Sequence, residues 1–272
     1  MSNSESLRVA VTGAAGRMGK TLIQAINEAT DLALGAAFEH PDSPALGKDA
    51  GEGAGVGSLD VSIGADPSTA VDDFDVVIDF TVPAATLGLA KICAEHNKAM
   101  VIGTTGFSDE QLVELEAVKQ SIPVFMAPNM SVGVNLMFKL IEMAAQTLGD
   151  EVDVEIMEVH HRHKVDAPSG TAVRMGEILA DTLGRDLEQD AIYGRQGITG
   201  ARERKTIGFS TMRGGDIVGE HTVMFAAEGE RIELTHRAQS RMNFAQGALR
   251  AVRFVHNQPA GGYDMQTLLG FT

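Results

Sequence analysis

The first half of the chain alternates short apolar runs with amphipathic runs. Residues 7–12 (LRVAVT), 75–80 (DVVIDF) and 100–102 (MVI) are dominated by apolar and β-branched side chains, which is typical of strands buried in a parallel sheet. Longer runs between them, such as 20–29, carry apolar residues at helical spacing and predict covering helices. This alternation continues to about residue 130 and predicts an α/β domain with a parallel sheet.

Beyond residue 150 the pattern changes from alternation to successive strands. Residues 152–159 partly alternate apolar and polar positions, as a half-buried strand does, and a helix is predicted to follow at 169–183. A polar loop is predicted at 184–204. The remaining strand-like runs lie at residues 206–212, 217–226 and 231–236. Strands that follow one another without intervening helices predict an α+β domain.

The two patterns together predict two domains. We expect the first to combine residues 1–130 with 241–272, because an apolar helical run and the tail return to it after residue 240. We expect the second, smaller domain to comprise residues 131–240. Residues 41–66 are rich in glycine and predict an exposed loop without a chemical role.

Composition and charge narrow the classes of function. The chain has 272 residues, of which 44% are hydrophobic and 22% are charged, as in ordinary globular proteins. Its formal net charge of −15 at pH 7 argues against nucleic acid or an anionic membrane surface as a partner. The single cysteine, Cys93, excludes an internal disulfide, and neither a signal-peptide pattern nor a membrane-length apolar run is seen. These features predict a cytoplasmic protein.

A glycine motif follows the first predicted strand. Gly13, Gly16 and Gly19 occur as GAAGRMG, and Glu39 ends the second predicted strand, twenty residues after Gly19. Such glycines allow a tight turn, a close approach of a pyrophosphate and packing of the helix on the strand, while the acid binds the ribose hydroxyls. The motif predicts a dinucleotide site. The alternative is a glycine-rich turn that binds nothing.

Glu39 and His40 bear on the choice between NADH and NADPH. A glutamate at this position favours a free 2′-hydroxyl and repels a 2′-phosphate, which an arginine would instead attract. His40 is a weaker substitute for an arginine, although Arg17 in the glycine loop could assist. We therefore expect NADH to be used at least as well as NADPH.

Two other predicted strand ends carry small and polar residues. Gly103, Thr104 and Thr105 follow the run at 100–102, and Asn129 follows a predicted strand at 123–127. Ligands of parallel α/β sheets bind at the carboxyl ends of the strands. These residues are therefore predicted to form walls of the cofactor site, the alternative being simple strand-to-helix turns.

The most unusual stretch is 158–172, EVHHRHKVDAPSGTA. Five consecutive positions in it are His160, His161, Arg162, His163 and Lys164. A predicted helix start follows at once, and helix starts bind anions through free N–H groups. The stretch is a candidate site for protonating a small dicarboxylate. It could instead be a solvated basic patch, a metal site, or a set of structural histidines.

Six stretches together resemble one family. They are VTGAAGRMGK (11–20), VIDFT (77–81), VIGTTGF (101–107), APNMSVGVN (127–135), EVHHRHKVDAPSGTA (158–172) and GDIVGEHTVMF (215–225). The chain is similar, over essentially its whole length, to the 4-hydroxy-tetrahydrodipicolinate reductases, also called dihydrodipicolinate reductases, of bacterial diaminopimelate and lysine biosynthesis. The stretch at 158–172 is the most specific of the six.

The resemblance implies a Rossmann-like domain and a substrate domain whose open mixed sheet builds a homotetramer. It implies reduction of 4-hydroxy-tetrahydrodipicolinate by NADH or NADPH to tetrahydrodipicolinate and water, with no metal. Two departures concern the cofactor: His40 stands where NADPH-using members often have arginine, and Val82 stands where a charged residue can occur.

The resemblance also assigns site residues. His160 is implied as proton donor and acceptor, and Lys164 as a second proton donor. The substrate carboxylates would be bound by His161, Gly170 and Thr171. The residues implied to hold or line the cofactor are Gly13, Ala14, Ala15, Gly16, Arg17, Met18, Glu39, His40, Gly103, Thr104, Thr105, Ala127, Pro128, Asn129 and Met130. The alternative functions are an NAD(H)-binding redox sensor without turnover and a dehydrogenase for another small acid on the same fold.

Overall fold

The computed structural model describes residues 6–271, which form two compact units. One unit runs to Val132 and resumes at Arg241, and the other is Gly133–Ser240. The strands are β1 (Leu7–Thr12), β2 (Leu32–Phe38), β3 (Ile63–Gly64), β4 (Val76–Asp79), β5 (Ala99–Ile102), β6 (Pro123–Met126), β7 (Asp153–His160), β8 (Ala191–Ile192), β9 (Ile207–Arg213), β10 (Gly219–Ala226), β11 (Arg231–Ala238) and β12 (Gly261–Tyr263). The α-helices are α1 (Arg17–Glu28), α2 (Ala50–Ala54), α3 (Pro83–Glu95), α4 (Asp109–Lys119), α5 (Val132–Leu148), α6 (Gly170–Leu183), α7 (Leu187–Asp190), α8 (Met242–Val255) and α9 (Met265–Leu269).

The first unit is built on a parallel sheet. In the part of the chain that the structure describes, the sheet has seven strands in the order β12-β6-β5-β4-β1-β2-β3. Every paired neighbour in it runs parallel, including β12, which adds the tail to the edge of the sheet beside β6. The predicted α/β class with a Rossmann-like parallel sheet is confirmed.

Helices cover both faces of this sheet, which explains its continuous apolar strands. Val9 and Val11 of β1 pack in a core with α1 and α8, whereas Ala10 between them packs in a second core with α3 and α4. Because successive strand residues point to opposite faces, a strand buried on both sides needs apolar residues at every position. Among residues 6–271, no helix is both long and apolar enough to cross a membrane.

The predicted loop at 41–66 is wrong in part. Residues Ala50–Ala54 form α2, whose amino end is capped by the Asp49 carboxylate, and Ile63–Gly64 form the edge strand β3. Ala50, Ala54 and Ile63 are buried in the core. The many glycines concealed this order, because some supply turns, as Gly55 does at φ +81°, instead of marking an unstructured loop.

The second unit is built on a mixed sheet, as predicted. Among its described residues the strand order is β11-β10-β7-β9-β8, with β10 antiparallel to both of its neighbours and β9 parallel to both of its own. Apolar residues on one face pack against α5 and α6. The side chains of β7 alternate between buried and half-buried along its length, so the predicted half-buried strand is confirmed.

Two details of the second unit differ from the sequence-based prediction. Strand β7 includes His160 as its last residue, so this histidine lies in the sheet and not in the loop that follows. The predicted polar loop at 184–204 contains α7 and β8. Asp186 caps α7 by accepting the Glu188 N–H, and a helix and strand this short leave too little periodicity to be recognised.

Candidate active site

The glycine turn in the first unit brings backbone segments into very close contact. Gly13 has φ +64°, a conformation that side chains disfavour, and a Cβ on Gly19 would lie 2.1 Å from the Gly13 carbonyl oxygen. Helix α1 therefore starts directly against the turn that follows β1. Its N-cap, Gly16, has no side chain to cap the first N–H groups, so the helix start can receive an anion.

Glu39 reaches from the end of β2 to this turn. One carboxylate oxygen accepts the Ala15 N–H at 2.9 Å, and the other accepts the His40 N–H at 3.0 Å. The His40 ring is largely exposed, and its Nδ1 accepts the Asp42 N–H at 3.2 Å. The Asp42 carboxylate lies 3.6 Å from the same nitrogen. The charged neighbour of His40 on this side is therefore a second acid and not an arginine.

A cavity of about 480 Å³ opens beside the glycine turn. Of the predicted cofactor residues, Gly13, Glu39 and His40 line it. Val82, which is 59% exposed, also lies in its wall. Ala65 at the end of the 41–66 segment is a further lining residue, so the segment that was assigned no chemical role contributes to this wall.

A buried carboxylate organises the strand ends next to the cavity. Asp79, the last residue of β4, is 1% exposed and accepts hydrogen bonds from four threonine hydroxyl groups. They belong to Thr12, Thr81, Thr86 and Thr104, which lie at the end of β1, after β4, in α3 and after β5. One carboxylate therefore fixes the ends of three parallel strands relative to one another.

The other predicted cofactor residues have varied surroundings. A Cβ on Gly103 would lie 2.1 Å from the Phe80 ring, so the turn after β5 requires glycine there. Thr104 is buried, whereas Thr105 is exposed. The four residues after β6 differ in the same way: Ala127 and Met130 are buried in the core, Pro128 is exposed, and the Asn129 side chain accepts the Ser131 N–H at 2.9 Å.

In the second unit, His160 is paired with a buried carboxylate. Glu158 lies two residues earlier on β7 and therefore on the same face. Its Oε2 is 2.6 Å from Nδ1 of His160. Both side chains are almost fully buried, with Glu158 at 1% and His160 at 8% exposure.

Donors from two other segments, β9 and the start of α6, converge on Glu158. The Arg213 guanidinium donates two hydrogen bonds, of 2.7 Å and 2.8 Å, one to each carboxylate oxygen. The Ser169 N–H donates at 3.0 Å, and the Thr211 hydroxyl donates at 3.3 Å. The sheet register brings the strand residues together, because Thr211 pairs with Glu158, and Arg213 pairs with His160, across β7 and β9.

Burial and the neighbouring charges both shift the pKa values of His160 and Glu158. Burial lowers the pKa of His160, the Glu158 carboxylate raises it, and Lys164 and Arg213 lower it again, so that it stays below its ordinary value. Burial raises the pKa of Glu158, but Arg213, His160 and the Ser169 N–H outweigh burial and bring it below its ordinary value. At neutral pH Glu158 is therefore a carboxylate.

A second buried histidine, His221, packs against His160. The His221 ring lies 5.0 Å from the His160 ring, edge to face, and its Nε2 shares a 2.9 Å hydrogen bond with the Ser169 hydroxyl. Ser169 is also the N-cap of α6, where it accepts the Ala172 N–H. Burial lowers the pKa of His221 to about 3, with a further contribution from His160, so this ring is neutral at physiological pH.

The remaining predicted substrate residues border this cluster along the chain. The Lys164 ammonium forms a 2.9 Å ion pair with Asp166, and the Lys164 N–H donates to the His161 carbonyl. Gly170 and Thr171 are the first two residues of α6, directly after the Ser169 cap. Glu158 binds both His160 and the Ser169 N–H, so it ties the end of β7 to the start of α6.

Comparison with known proteins gives the family. The model described as the N-terminus of dihydrodipicolinate reductase matches residues 7–130, and the one described as its C-terminus matches residues 133–269. A 4-hydroxy-tetrahydrodipicolinate reductase from Saccharophagus degradans is 57% identical over 263 residues, which cover 97% of this chain and 98% of the relative. This chain belongs to the dihydrodipicolinate reductase family.

Solved structures agree. A dipicolinate-bound dihydrodipicolinate reductase from Paenisporosarcina sp. TG-14 matches with a TM-score of 0.74 and 26% identity, over 96% of this chain and 98% of that one. An amine dehydrogenase from Mycobacterium smegmatis shares the fold alone, with a TM-score of 0.60 and 14% identity over 98% of this chain and 96% of that one.

Membership of the dihydrodipicolinate reductase family defines the activity. The chain is an oxidoreductase that uses a pyridine nucleotide to reduce 4-hydroxy-tetrahydrodipicolinate in diaminopimelate and lysine biosynthesis. The resemblance seen in the sequence motifs is thereby confirmed.

Sequence reasoning gave no role to several residues of the cluster around His160 in this dihydrodipicolinate reductase family member. Glu158 begins the histidine-rich stretch and has the right spacing to share a strand face with His160, which was the available signal. Arg213 and His221 lie more than fifty residues away along the chain and reach His160 only through strand pairing. No local pattern marks Arg213, and His221 lies in the stretch 215–225 that resembles the family but was given no role.

The low pKa of His221 predicts acid-sensitive stability. Below the ordinary value of 6.5, the unfolded chain protonates this histidine, while the folded chain does not until the pH falls to about 3. The free energy of unfolding should therefore fall as the pH falls from 6.5 toward 3. In His221→Asn, urea unfolding should show a pH slope smaller by up to about 1.4 kcal/mol per pH unit.

The control is His96→Asn, which changes an exposed histidine at the end of α3 and should retain the wild-type slope. Parallel pH profiles for wild type and His221→Asn would contradict the buried neutral state of His221.

Proposed function

We propose that this reductase binds the nicotinamide nucleotide at the glycine turn of the first unit and the substrate at the end of β7 in the second. The placement of His160 carries the proposal. This titratable ring lies at the end of a strand, is held by a buried carboxylate, and is followed within ten residues by the start of α6.

The first unit has the features that a dinucleotide requires. Gly13 at φ +64° makes the tight turn, Gly16 at the N-cap carries no side chain, and Gly19 lets α1 pack on the turn. The residues that would hold it are Gly13, Ala14, Ala15, Gly16, Arg17 and Met18, with Glu39 at the ribose. When bound, NADH or NADPH supplies a hydride. The buried Asp79 network fixes Thr104, and the turn after β5 would form another wall.

The charges near Glu39 support NADH as the preferred nucleotide. A 2′-phosphate beside Glu39 would meet its carboxylate and that of Asp42, which lies next to His40. Val82 adds no cation to the cavity wall. Repulsion between like charges disfavours NADPH, whereas a ribose 2′-hydroxyl can donate to Glu39.

The second unit offers donors for a dicarboxylate. Helix α6 begins with Gly170 and Thr171, and the backbone N–H groups and dipole of a helix start favour a carboxylate. A Cβ on Gly170 would meet nothing within 4 Å, so space is open at the helix start. His161 and Lys164 provide positive charge or hydrogen bonds in a chain that is otherwise acidic.

Proton delivery is assigned to His160 and Lys164. Reduction of the substrate ring leaves a basic carbon or nitrogen that must gain a proton, and loss of the hydroxyl as water needs another. His160 suits the first task because an imidazole is the side chain that can donate and accept a proton in this pH range. The Lys164 ammonium, oriented by Asp166, is the second donor.

The assembly that we propose is a homotetramer built through the open face of the five-stranded sheet. One face is covered by α5 and α6, whereas Met157, Met212 and Met224 lie on the other. Met212 is 52% exposed. Pairing of such faces would bury these apolar side chains. Analytical ultracentrifugation of the whole chain should give a tetramer, and a monomer's mass would exclude this assembly.

The function is tested by generating the unstable substrate in place. Pyruvate and aspartate semialdehyde are supplied together with the preceding synthase, and oxidation of NADH and of NADPH is followed in parallel. We expect synthase-dependent oxidation, with a kcat/KM for NADH at least equal to that for NADPH because of Glu39 and Asp42. A tenfold or greater preference for NADPH, on the order of 1.4 kcal/mol, would contradict the cofactor assignment.

The role of His160 is tested by His160→Gln. Loss of a general acid typically costs about 10²–10⁴-fold in rate, so kcat should fall in that range. The matched control is His256→Gln, an exposed histidine after α8, which should keep the wild-type rate. A His160→Gln rate within about twofold of wild type would remove His160 from proton delivery.

A further inference from the structure

We propose that Glu158, clamped by Arg213, is a positioning residue that holds the proton of His160 on Nδ1 and leaves Nε2 as the atom that exchanges protons with the substrate. This inference rests on the proposed role of His160. It assigns a function to the buried carboxylate and to the arginine, neither of which is expected to touch the substrate.

The first step is the geometry of Nδ1. This nitrogen lies 2.6 Å from the Glu158 carboxylate, which is slightly shorter than most N–H···O bonds, as is typical when the acceptor is ionised. Glu158 and His160 share one face of β7, where strand pairing fixes the backbone on both sides. The ring therefore cannot turn away from Glu158 without leaving a buried carboxylate short of a donor.

The second step is the charge of Glu158. Besides the His160 ring, its two oxygens accept from two Arg213 N–H groups, the Ser169 N–H and the Thr211 hydroxyl. A protonated carboxyl group would place a hydrogen against these donors. Glu158 is therefore an acceptor at both oxygens, and Nδ1 must carry a hydrogen.

The third step concerns Nε2. With Nδ1 protonated, the neutral ring has its lone pair on Nε2, and the protonated ring has its second N–H there. A Cβ on Gly219 would lie 2.9 Å from Nε2. Glycine at the start of β10 therefore leaves room beside the one ring nitrogen that is not bonded to Glu158.

The charges that face His160 show why a carboxylate is needed. Two cations face it: Arg213 on β9 and Lys164 in the loop after β7. The charge of Lys164 is partly offset by its ion pair with Asp166, and His221 on β10 is neutral. Burial adds to their effect in lowering the pKa of His160. Glu158 is the contact that raises it, and so opposes the lowering by burial, Lys164 and Arg213.

The inference predicts the behaviour of Glu158→Gln. A glutamine must direct its carbonyl oxygen at Arg213 and its amide N–H₂ at His160, which favours a lone pair on Nδ1 and the hydrogen on Nε2. The pKa of His160 should then fall, because the amide carries no charge. In the synthase-coupled assay, the limb of the kcat profile that declines with rising pH should move by about one pH unit or more toward acid.

At about pH 8 the same variant should lose on the order of tenfold in kcat, with a smaller change in KM for the substrate. The matched control is Asp31→Asn in the first unit, just before β2 and at the opposite end of that strand from Glu39. This carboxylate likewise accepts two hydrogen bonds from one arginine, Arg253, at 2.7 Å and 2.8 Å, so the control also loses an arginine ion pair. It should retain the wild-type pH profile. A purely structural role for Glu158 would lower kcat without moving the limb, and that result would overturn the inference.

A measurement on the wild-type protein decides the matter even if Glu158→Gln does not fold. Imidazole ¹⁵N chemical shifts at about pH 8, assigned to His160 by their loss in His160→Gln, report which nitrogen carries the hydrogen. We expect a protonated Nδ1 and an unprotonated Nε2. The opposite tautomer would overturn the inference, whatever the substrate proves to be. Absence of synthase-dependent oxidation by the wild type would instead contradict the proposed function and leave the tautomer result standing.

Discussion

The buried Glu158 carboxylate is the constraint on which the second unit depends. A carboxylate removed from water is costly unless donors replace its hydration, and removing one partner of a buried ion pair typically costs about 3–5 kcal/mol. Here the donors come from β7, β9 and the start of α6. Satisfying this one charge therefore ties β7 to β9, to the start of α6 and to the His160 ring.

The first unit also contains a buried acidic side chain that ties several segments together, but its donors are neutral. Asp79 ends β4, a central strand of the parallel sheet, and collects four threonine hydroxyl groups from three strand ends and α3. These hydroxyl donors bring no positive charge to Asp79, whereas the Arg213 guanidinium brings one to Glu158. In each unit a buried acid at the end of a central strand stiffens the segments that are proposed to bind ligands.

These networks explain what the sequence could and could not predict. The parallel sheet, the glycine turn and Glu39 lie within a single strand–helix–strand segment, and local spacing was enough to recognise them. The pairing of His160 with Arg213, and of Glu158 with His221, depends on strand order, which no local pattern specifies. The helix at Ala50–Ala54 was missed because glycines that close turns look, in sequence, like glycines of an irregular loop.

If the substrate binds beside His160 as proposed, the charge balance there couples substrate binding to protonation of the ring. The chain carries a net charge of −15, and two cations of the site are already paired, Arg213 with Glu158 and Lys164 with Asp166. A dicarboxylate that binds here is therefore stabilised most by new positive charge that forms when it binds. Protonation of Nε2 on His160 supplies that charge, because a nearby anion raises the pKa of an imidazole. By linkage, His160 then takes up a proton most readily when the substrate is bound. When the site is empty, the buried His160 ring stays neutral.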